Sequence, residues 1–166
     1  MSNFEFIPNE EQYQNSNIYK FMKKHNISSL EELSEKSKTN LEWFWESVEK
    51  DIGIVWDAPY TKTLDTSNGI PWTKWFVEGK TNLYKSSVEK FTKQTPEKIA
   101  YNFISEDGIE TKLSYFELNT KVSKLANGFK SLGVKKGDVI AIYLPMIEEA
   151  IVSILAAAKI GAVQTI

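Results

Sequence analysis

The fold is decided by residues 139–166, whose sequence is VIAIYLPMIEEAIVSILAAAKIGAVQTI. They begin with Val139-Ile140-Ala141-Ile142-Tyr143, a continuous apolar run typical of a parallel strand covered on both faces. Gly161 marks the end of a following helix, and residues 162–166 begin a second strand. The stretch therefore predicts a βαβ unit of a parallel sheet. Its helix carries one apolar stripe that we expect to be buried, formed by Ile147, Ala150, Ile151, Ile154, Leu155 and Ala158.

A second helix is predicted upstream, because Ser114-Tyr115-Phe116-Glu117 has the spacing of a capping box. Gly133 supplies the C-terminal stop of this helix. Before it, residues 99–105 and 109–113 predict two strands, and Glu106-Asp107-Gly108 between them indicates a β-hairpin. The inward-facing residues of the helix are expected to be Leu118, Val122, Leu125, Ala126, Phe129 and Leu132.

Residues 82–94 predict a further helix, which has Leu83, Val88 and Phe91 inward and ends before Pro96. The sequence stops inside an apolar strand with no helix after it, and a parallel sheet of two strands is not stable alone. We therefore expect residues 81–166 to be the first part of a larger α/β domain, the start of a doubly wound parallel sheet truncated in a strand.

Residues 1–80 are polar, aromatic and irregular, unlike the rest of the chain. Ser29-Leu30-Glu31-Glu32 predicts a capping box and a short helix, and Thr39 or Asn40 can cap a second one. Residues 53–79 are interrupted by proline and glycine and predict extended backbone. We interpret residues 1–80 as a mainly helical and extended segment that wraps onto the domain beginning at residue 81. It contains all five tryptophans, Trp43, Trp45, Trp56, Trp72 and Trp75.

Composition limits the possible partners and the compartment. The 166 residues carry a net charge of −2, and all 20 basic residues are lysines, so neither a nucleic-acid nor an anionic-membrane partner is expected. The chain has no cysteine, which fits a reducing compartment. Its start lacks the features of a secretory signal, and its most apolar stretch, residues 150–158, is far shorter than the ~20 residues that cross a bilayer. We expect a soluble, cytoplasmic protein.

The sequence offers no set of residues that would carry catalysis. His25 is the only histidine and lies in a polar turn, so we expect it at the surface. Acidic pairs such as Glu148-Glu149 are explained by first-turn positions in helices. Residues 133–138 combine glycines and lysines but follow a helix and open a strand, the reverse of a phosphate-binding loop. The tryptophans are expected to anchor the extended segment, with a ligand channel as the alternative. We expect no catalytic, cofactor-binding or metal-binding residue in this chain.

Several motifs resemble the AMP-forming acyl-CoA synthetases of the adenylate-forming superfamily. LGVKKGDVIAIYLPMIEEA from Leu132, ending in AKIGAV, is similar to the first βαβ unit of that family. Residues 114–118 resemble the lead-in to its preceding helix. Similarity to the N-terminal extension of the acetyl-CoA synthetase branch is found at Phe44-Trp45, at Trp56 with Pro59-Tyr60, from Lys74-Trp75-Phe76 through Gly79, and at Asn82-Leu83. Gln164-Thr165 departs from the His-Ser that commonly follows Gly-Ala-Val there, so acetate, propionate, a hydroxyacid or another small carboxylate stays open as the substrate.

The resemblance implies that this chain is the N-terminal portion of an ATP-dependent acid–thiol ligase. A carboxylate would attack the α-phosphorus of ATP to give acyl-AMP and pyrophosphate, and coenzyme A would then form the thioester. ATP, coenzyme A and Mg²⁺ are the implied cofactors of the full-length protein. The family's phosphate loop, ribose-binding aspartate, coenzyme A segment and C-terminal lysine all lie downstream of Ile166, so the 166 residues alone are expected to be inactive.

Two alternatives remain open from the sequence. One is a non-catalytic α/β interaction module that completes its sheet with a partner chain. The other is a self-contained α/β nucleotide binder, which the order of the glycine turn disfavours.

Overall fold

The computed structural model describes residues 6–166 and divides the chain into two compact units. The first unit holds the residues up to Gly53 together with residues 61–77. The second unit holds residues 54–60 and 78–166. The interpretation of residues 1–80 as an extension, with a domain beginning at residue 81, stays a prediction. No helix within residues 6–166 combines the length and the apolar character that crossing a membrane requires.

The described residues form helices and short strands throughout. The helices are α1 (Glu10–Asn15), α2 (Asn17–Lys24), α3 (Leu30–Thr39), α4 (Leu41–Ile52), α5 (Lys90–Gln94), α6 (Tyr115–Ser131) and α7 (Glu148–Ile160), with a 3₁₀ turn at Ile70–Trp72 and a π-helical turn at Lys85–Glu89. The strands are β1 (Trp56–Ala58), β2 (Lys62–Asp65), β3 (Lys74–Val77), β4 (Lys80–Thr81), β5 (Ile99–Ile104), β6 (Glu110–Ser114), β7 (Val139–Ala141) and β8 (Val163–Thr165).

In the first unit, the predicted helix starts are confirmed. Ser29 caps α3 by accepting a hydrogen bond from the Glu32 amide, and Asn40 caps α4 in the same way. The reciprocal half of the predicted capping box is wrong, because the Glu32 carboxylate accepts from the Ser28 amide and not from Ser29. The buried hydrophobic cluster of this unit consists of Met22, Ile27 and Leu33, with Phe21, Trp43 and Phe44 packed against them.

The segment predicted as extended is organised into two antiparallel strand pairs. Strand β2 pairs with β3 in the first unit, with Leu64 opposite Trp75. Strand β1 pairs with β4 in the second unit. Extended backbone is confirmed for these strands but is wrong for Ile70–Trp72, which forms a 3₁₀ turn. The pairing satisfies hydrogen-bonding groups that an unpaired extended segment would leave to solvent.

The core of the second unit is built on α6. Both hydrogen bonds of the predicted capping box are present: Ser114 Oγ accepts from the Glu117 amide, and the Glu117 carboxylate accepts from the Ser114 amide. Leu118, Val122 and Ala126 are buried, as expected from their spacing. Leu132 is 83% exposed, so its assignment to the buried face is wrong. Helix α6 ends at Ser131, and the chain turns away before Leu132 can continue the stripe.

The helical segment before β5 packs through a different residue from the one expected. Leu83 is 64% exposed, whereas Tyr84 is 1% exposed and Val88 is buried beside it. The inward assignment of Leu83 is wrong because Tyr84 packs beside Val88 in the buried cluster, and the π-helical turn at Lys85–Glu89 departs from the α-helical spacing on which that assignment rests. Tyr84 and Val88 are four residues apart and share a face.

The predicted hairpin and the βαβ unit are both confirmed. Strands β5 and β6 pair antiparallel around the turn at residues 106–108. Strands β7 and β8 pair in parallel on either side of α7, and Gly161 ends α7 in the left-handed conformation.

The burial within the βαβ unit differs from the expectation. The buried residues of α7 are Val152, Leu155, Ala156 and Ala157, so only Leu155 of the predicted stripe belongs to them. The stripe was assigned wrongly because α7 is apolar on more than one face, and periodicity alone does not select the packed face. The expected cover on both faces of the strands is also absent among residues 6–166: Ile142 is 8% exposed, but Val139 is 67% and Val163 is 53% exposed.

Glu78 has a backbone φ of 63°, a left-handed value that costs non-glycine residues about 1–2 kcal/mol. We expect Glu78→Gly to raise the free energy of unfolding by about 1 kcal/mol, measured by urea denaturation. The matched control is Glu106→Gly, because Glu106 has no positive φ, and it should lower stability by roughly 0.5–1 kcal/mol. Equal effects of the two changes would contradict the assignment of strain to Glu78.

Candidate functional site

A group of polar side chains inside the second unit is the strongest candidate site; we call Asn82, Tyr84, Asn119, Ser123 and Lys159 the Lys159 cluster. Lys159 Nζ donates to Ser123 Oγ at 2.8 Å and to the Tyr84 hydroxyl at 3.2 Å. The Tyr84 hydroxyl in turn donates to Asn119 Oδ1. Asn82 Nδ2 donates to the backbone oxygen of Ala158 at 2.8 Å. The cluster therefore connects three helical segments through hydrogen bonds.

Each element places its part of the cluster by helical spacing. Asn119 and Ser123 are four residues apart and lie on the same side of α6. Lys159 lies in the last turn of α7, where a cation complements the helix dipole. Asn82 precedes the helical segment that contains Tyr84, and its Oδ1 accepts from the Tyr84 amide at 2.9 Å. The Asn82 side chain thus hydrogen-bonds both the start of the helical segment that contains Tyr84 and the end of α7.

Burial changes the titration of both ionisable members. Burial lowers the pKa of the Lys159 ammonium from its usual value, and burial raises the pKa of the Tyr84 phenol. The ammonium also lies over the Tyr84 ring, 4.3 Å from its centroid, a distance at which cation–π attraction operates. The hydrogen bonds of the cluster run between α6, α7 and the segment that contains Tyr84, so the cluster joins these helical segments.

His25 does not lie at the surface as expected. It is partly buried between Phe21 and Trp43, with ring centroids 4.4 Å and 5.5 Å away, and its Nε2 is buried without a hydrogen-bond partner. The expectation was wrong because the chain folds back directly after α2, where the Ile27 amide donates to the Met22 carbonyl at 2.9 Å. This turn places His25, which lies in a polar stretch of sequence, against the rings of Phe21 and Trp43.

The other sequence candidates occupy the positions expected of structural residues. Glu148 and Glu149 lie in the first turn of α7, and Glu148 pairs with Lys121. The Gly137 amide donates to the Gly161 carbonyl at 3.0 Å, and the Asp138 carboxylate accepts from the Lys135 amide at 2.7 Å. The turn at residues 133–138 therefore forms hydrogen bonds within the second unit.

The tryptophans make separate contacts and are not gathered into one stacking surface. Trp45 and Trp75 pack edge to face at 5.9 Å in the first unit, and Trp56 packs on Tyr60 in the second. Trp43 has the Lys36 ammonium 3.9 Å from its ring centroid. Aromatic anchoring of the paired strands is confirmed for Trp45 and Trp75.

Two concave regions accompany these features. One, of about 620 Å³, lies in the first unit between Phe21, Leu33 and Phe44 and carries the Lys24–Asp51 ion pair at its rim. The other, of about 320 Å³, lies in the second unit between the β5–β6 hairpin and the start of α7. Both are mainly apolar, and neither contains the Lys159 cluster.

Two family models match adjacent parts of the chain. The model for the acetyl-coenzyme A synthetase N-terminus matches residues 30–86, and the model for AMP-binding enzymes matches residues 88–166. The chain matches the N-terminal part of the acetyl-CoA synthetase-like AMP-binding enzymes. The resemblance drawn from residues 114–118 and from the stretch that begins at Leu132 is thereby confirmed.

Individual members of this family agree with that placement. The chain is 40% identical over 153 residues to an acetyl-coenzyme A synthetase of Methanothrix thermoacetophila, with 91% of this chain and 23% of that protein covered. It is 37% identical over 139 residues to a propionate–CoA ligase of Escherichia coli, with 83% and 22% covered. An acetoacetyl-CoA synthetase structure from Streptomyces lividans matches with a TM-score of 0.84 at 26% identity, covering 95% of this chain and 25% of that one.

The chain thus spans about a quarter of the length of the family members it matches. The absence of catalytic, cofactor-binding and metal-binding residues from these 166 residues stays a prediction. The Lys159 cluster is not among the residues predicted from the sequence. Asn119 and Ser123, two polar residues four apart on one side of an otherwise apolar stripe, were the signal that could have revealed it.

Tyr84→Phe tests the cluster. Removing the hydroxyl leaves Asn119 Oδ1 and Lys159 Nζ each without one partner, so we expect the free energy of unfolding to fall by about 1–3 kcal/mol. The matched control is Tyr143→Phe, because Tyr143 is fully exposed, and it should change stability by less than about 0.5 kcal/mol. Urea denaturation at pH 7 measures both, and similar effects would contradict a role for the Tyr84 hydroxyl.

The same variant carries a pH dependence. Because burial raises the pKa of Tyr84 above its usual value of 10.0, the folded state favours the neutral phenol. The contribution of the neutral Tyr84 phenol to the free energy of unfolding is complete below pH 10.0 and is lost as the pH rises through the folded-state pKa. We therefore expect the stability difference between the natural chain and Tyr84→Phe to shrink above pH 10, measured by urea denaturation in steps from pH 9 to 11. A difference that grows over this range would overturn the expectation.

Proposed function

We propose that this chain forms the N-terminal part of an ATP-dependent, AMP-forming short-chain acyl-CoA synthetase acting on acetate or a similar small acid. The observation that carries the proposal is the succession of two family models over residues 30–166, which supports one continuous correspondence. Relatives described as acetyl-coenzyme A synthetase and as propionate–CoA ligase support a short acyl chain.

The reaction has two steps: the carboxylate is first activated, and its acyl group is then transferred to coenzyme A. A carboxylate oxygen attacks the α-phosphorus of ATP and pyrophosphate leaves, giving acyl-AMP. The thiol of coenzyme A then attacks the acyl carbon, and AMP leaves with formation of the thioester. The first step brings anions together, and a divalent cation such as Mg²⁺ offsets that charge in phosphoryl chemistry.

The role of these 166 residues in that enzyme is structural. The buried stripe of α6 and the Lys159 cluster fix the relative positions of α6, α7 and the helical segment that contains Tyr84. A rigid βαβ unit of this kind can support reacting groups on neighbouring polypeptide. We propose that the chain alone is inactive, that the protein acts in the cytoplasm, and that neither nucleic acid nor a membrane is its partner.

Carboxylate-dependent exchange between ATP and pyrophosphate tests this function. The sample is the longest native polypeptide beginning with this sequence, assayed with acetate, with propionate and without a carboxylate. We expect exchange that requires both a carboxylate and Mg²⁺, because only the first half-reaction regenerates ATP from acyl-AMP and pyrophosphate. Residues 1–166 alone should give no exchange under the same conditions.

Two results would count against the proposal. Absence of exchange from the folded longer protein would restrict the resemblance to the fold and favour the interaction-module alternative. Exchange or saturable ATP binding by residues 1–166 alone would show that the chain carries adenylation residues of its own.

A further inference from the structure

The chain contains two Asn-Gly pairs, Asn68-Gly69 and Asn127-Gly128. In such a pair the backbone nitrogen of glycine can attack the side-chain amide of asparagine, and glycine favours this reaction because it has no Cβ to hinder the approach. Both asparagines are exposed to solvent. Access to water therefore does not distinguish the two pairs, and a difference in reactivity has to come from the backbone around them.

Asn68-Gly69 lies in the exposed connection between β2 and β3. Residues 66–70 are all exposed. The Gly69 amide donates to the Thr66 carbonyl at 2.9 Å, which closes a β-turn with Asn68 at its third position. Water can replace this hydrogen bond when the turn opens, so opening costs far less than breaking a buried contact. The Gly69 nitrogen is thus released easily from its partner.

The surroundings of Gly69 also leave room for a ring to close. Gly69 has a φ of 89°, which glycine adopts without strain. Apart from the adjoining residues, the atom nearest to the position that a Cβ of Gly69 would occupy is Pro71 Cδ, at 3.8 Å. That distance is an ordinary van der Waals contact, so the backbone beside Asn68 is not enclosed by packed side chains.

Asn127-Gly128, by contrast, lies inside α6. Each amide in the interior of an α-helix donates to the carbonyl four residues earlier, so the Gly128 nitrogen is held along the helix. Turning it towards the Asn127 side chain would require unwinding α6 beside Ala126, which is 2% exposed in the core. Because a buried helix opens far less often than a surface turn, α6 protects this pair.

We propose that Asn68 is a site of spontaneous deamidation and that α6 protects Asn127 from the same reaction. The Gly69 nitrogen loses its proton to a base in solution and attacks Cγ of Asn68. A C–N bond forms, the bond to the side-chain nitrogen breaks, and ammonia leaves, so a five-membered succinimide results. Water then opens the ring and leaves aspartate or isoaspartate at position 68. Overall a water molecule is consumed and ammonia is released, with no oxidant or reductant.

The modification changes the charge and the length of the β2–β3 connection. A carboxylate at position 68 adds a negative charge to a chain of net charge −2. The new charge follows closely on Asp65, whose carboxylate accepts from the Ser67 amide at 3.2 Å. Isoaspartate also adds a carbon to the main chain beside the end of the strand pair, where Asp65 lies opposite Lys74. The reaction acts on the first unit, so this inference does not depend on the proposed function.

Peptide mapping of the longest native polypeptide that begins with this sequence tests the proposal. The protein is incubated at mildly alkaline pH and digested with trypsin, which releases residues 63–74 and 125–130, each with a single asparagine. Mass spectrometry follows the replacement of the side-chain NH₂ by OH in both peptides. A sample digested before incubation corrects for conversion during digestion. The matched variant is Asn68→Gln, which keeps an amide but would have to form a larger ring.

We expect Asn68 to convert at least about tenfold faster than Asn127 in the folded protein, because surface turns open far more readily than buried helices. In concentrated urea the two rates should agree within about threefold, since the protection by α6 is then lost. Asn68→Gln should abolish conversion in residues 63–74 and leave residues 125–130 unchanged.

Three results would overturn the proposal. Equal conversion of the two peptides in the folded protein would show that α6 gives no protection. Conversion of Asn68 in the folded protein at less than about a tenth of its rate in urea would show that the turn is itself protected. A difference in urea as large as that in the folded protein would assign the effect to the neighbouring residues and not to the fold.

Discussion

The packing of the buried stripe of α6 is the interaction on which the second unit depends. Leu118, Val122 and Ala126 lie in one buried cluster. The same cluster contains Tyr84 and Val88 from the preceding helical segment and Val152, Leu155 and Ala156 from α7. Because the Ser114–Glu117 capping box fixes where α6 begins, it also fixes which of its residues face these neighbours. Burial of this stripe supplies the hydrophobic stabilisation, and the strands of the unit are too short to provide it alone.

The Lys159 cluster adds specificity to that packing. The sequence contains no arginine, and a buried guanidinium would need acceptors for five donors. Lysine presents a compact charge that two hydroxyl groups and one aromatic face can accommodate. Since removal of one partner from a partly buried polar network leaves the other groups unsatisfied, the cluster favours a single arrangement of α6, α7 and the Tyr84 segment.

The sequence predicted the elements of the fold better than it predicted which residues they bury. Capping residues such as Ser29 and Ser114 act locally, so helix starts could be located without tertiary information. Leu83 and Tyr84 are adjacent and both can pack in a core, so the sequence does not decide which of them is buried. The structure shows that Tyr84 is the buried residue. The Lys159 cluster was missed for the same reason, because its hydrogen bonds join residues that are far apart in the chain. The assignment of the family depended on motif resemblance, which local physics alone could not have supplied.

The misassigned stripe of α7 and the exposure of Val139 and Ala141 on β7 have a common physical origin. Helix α7 presents Val152 and Ala156 to the core, while Ile147, on the predicted stripe, is 40% exposed. Strand β7 is likewise apolar on both faces, although only one is covered. A helix and a strand that are apolar on two sides are typical of elements buried on two sides. The excess apolar character of both elements therefore explains why the hydrophobic pattern alone does not identify their packed faces.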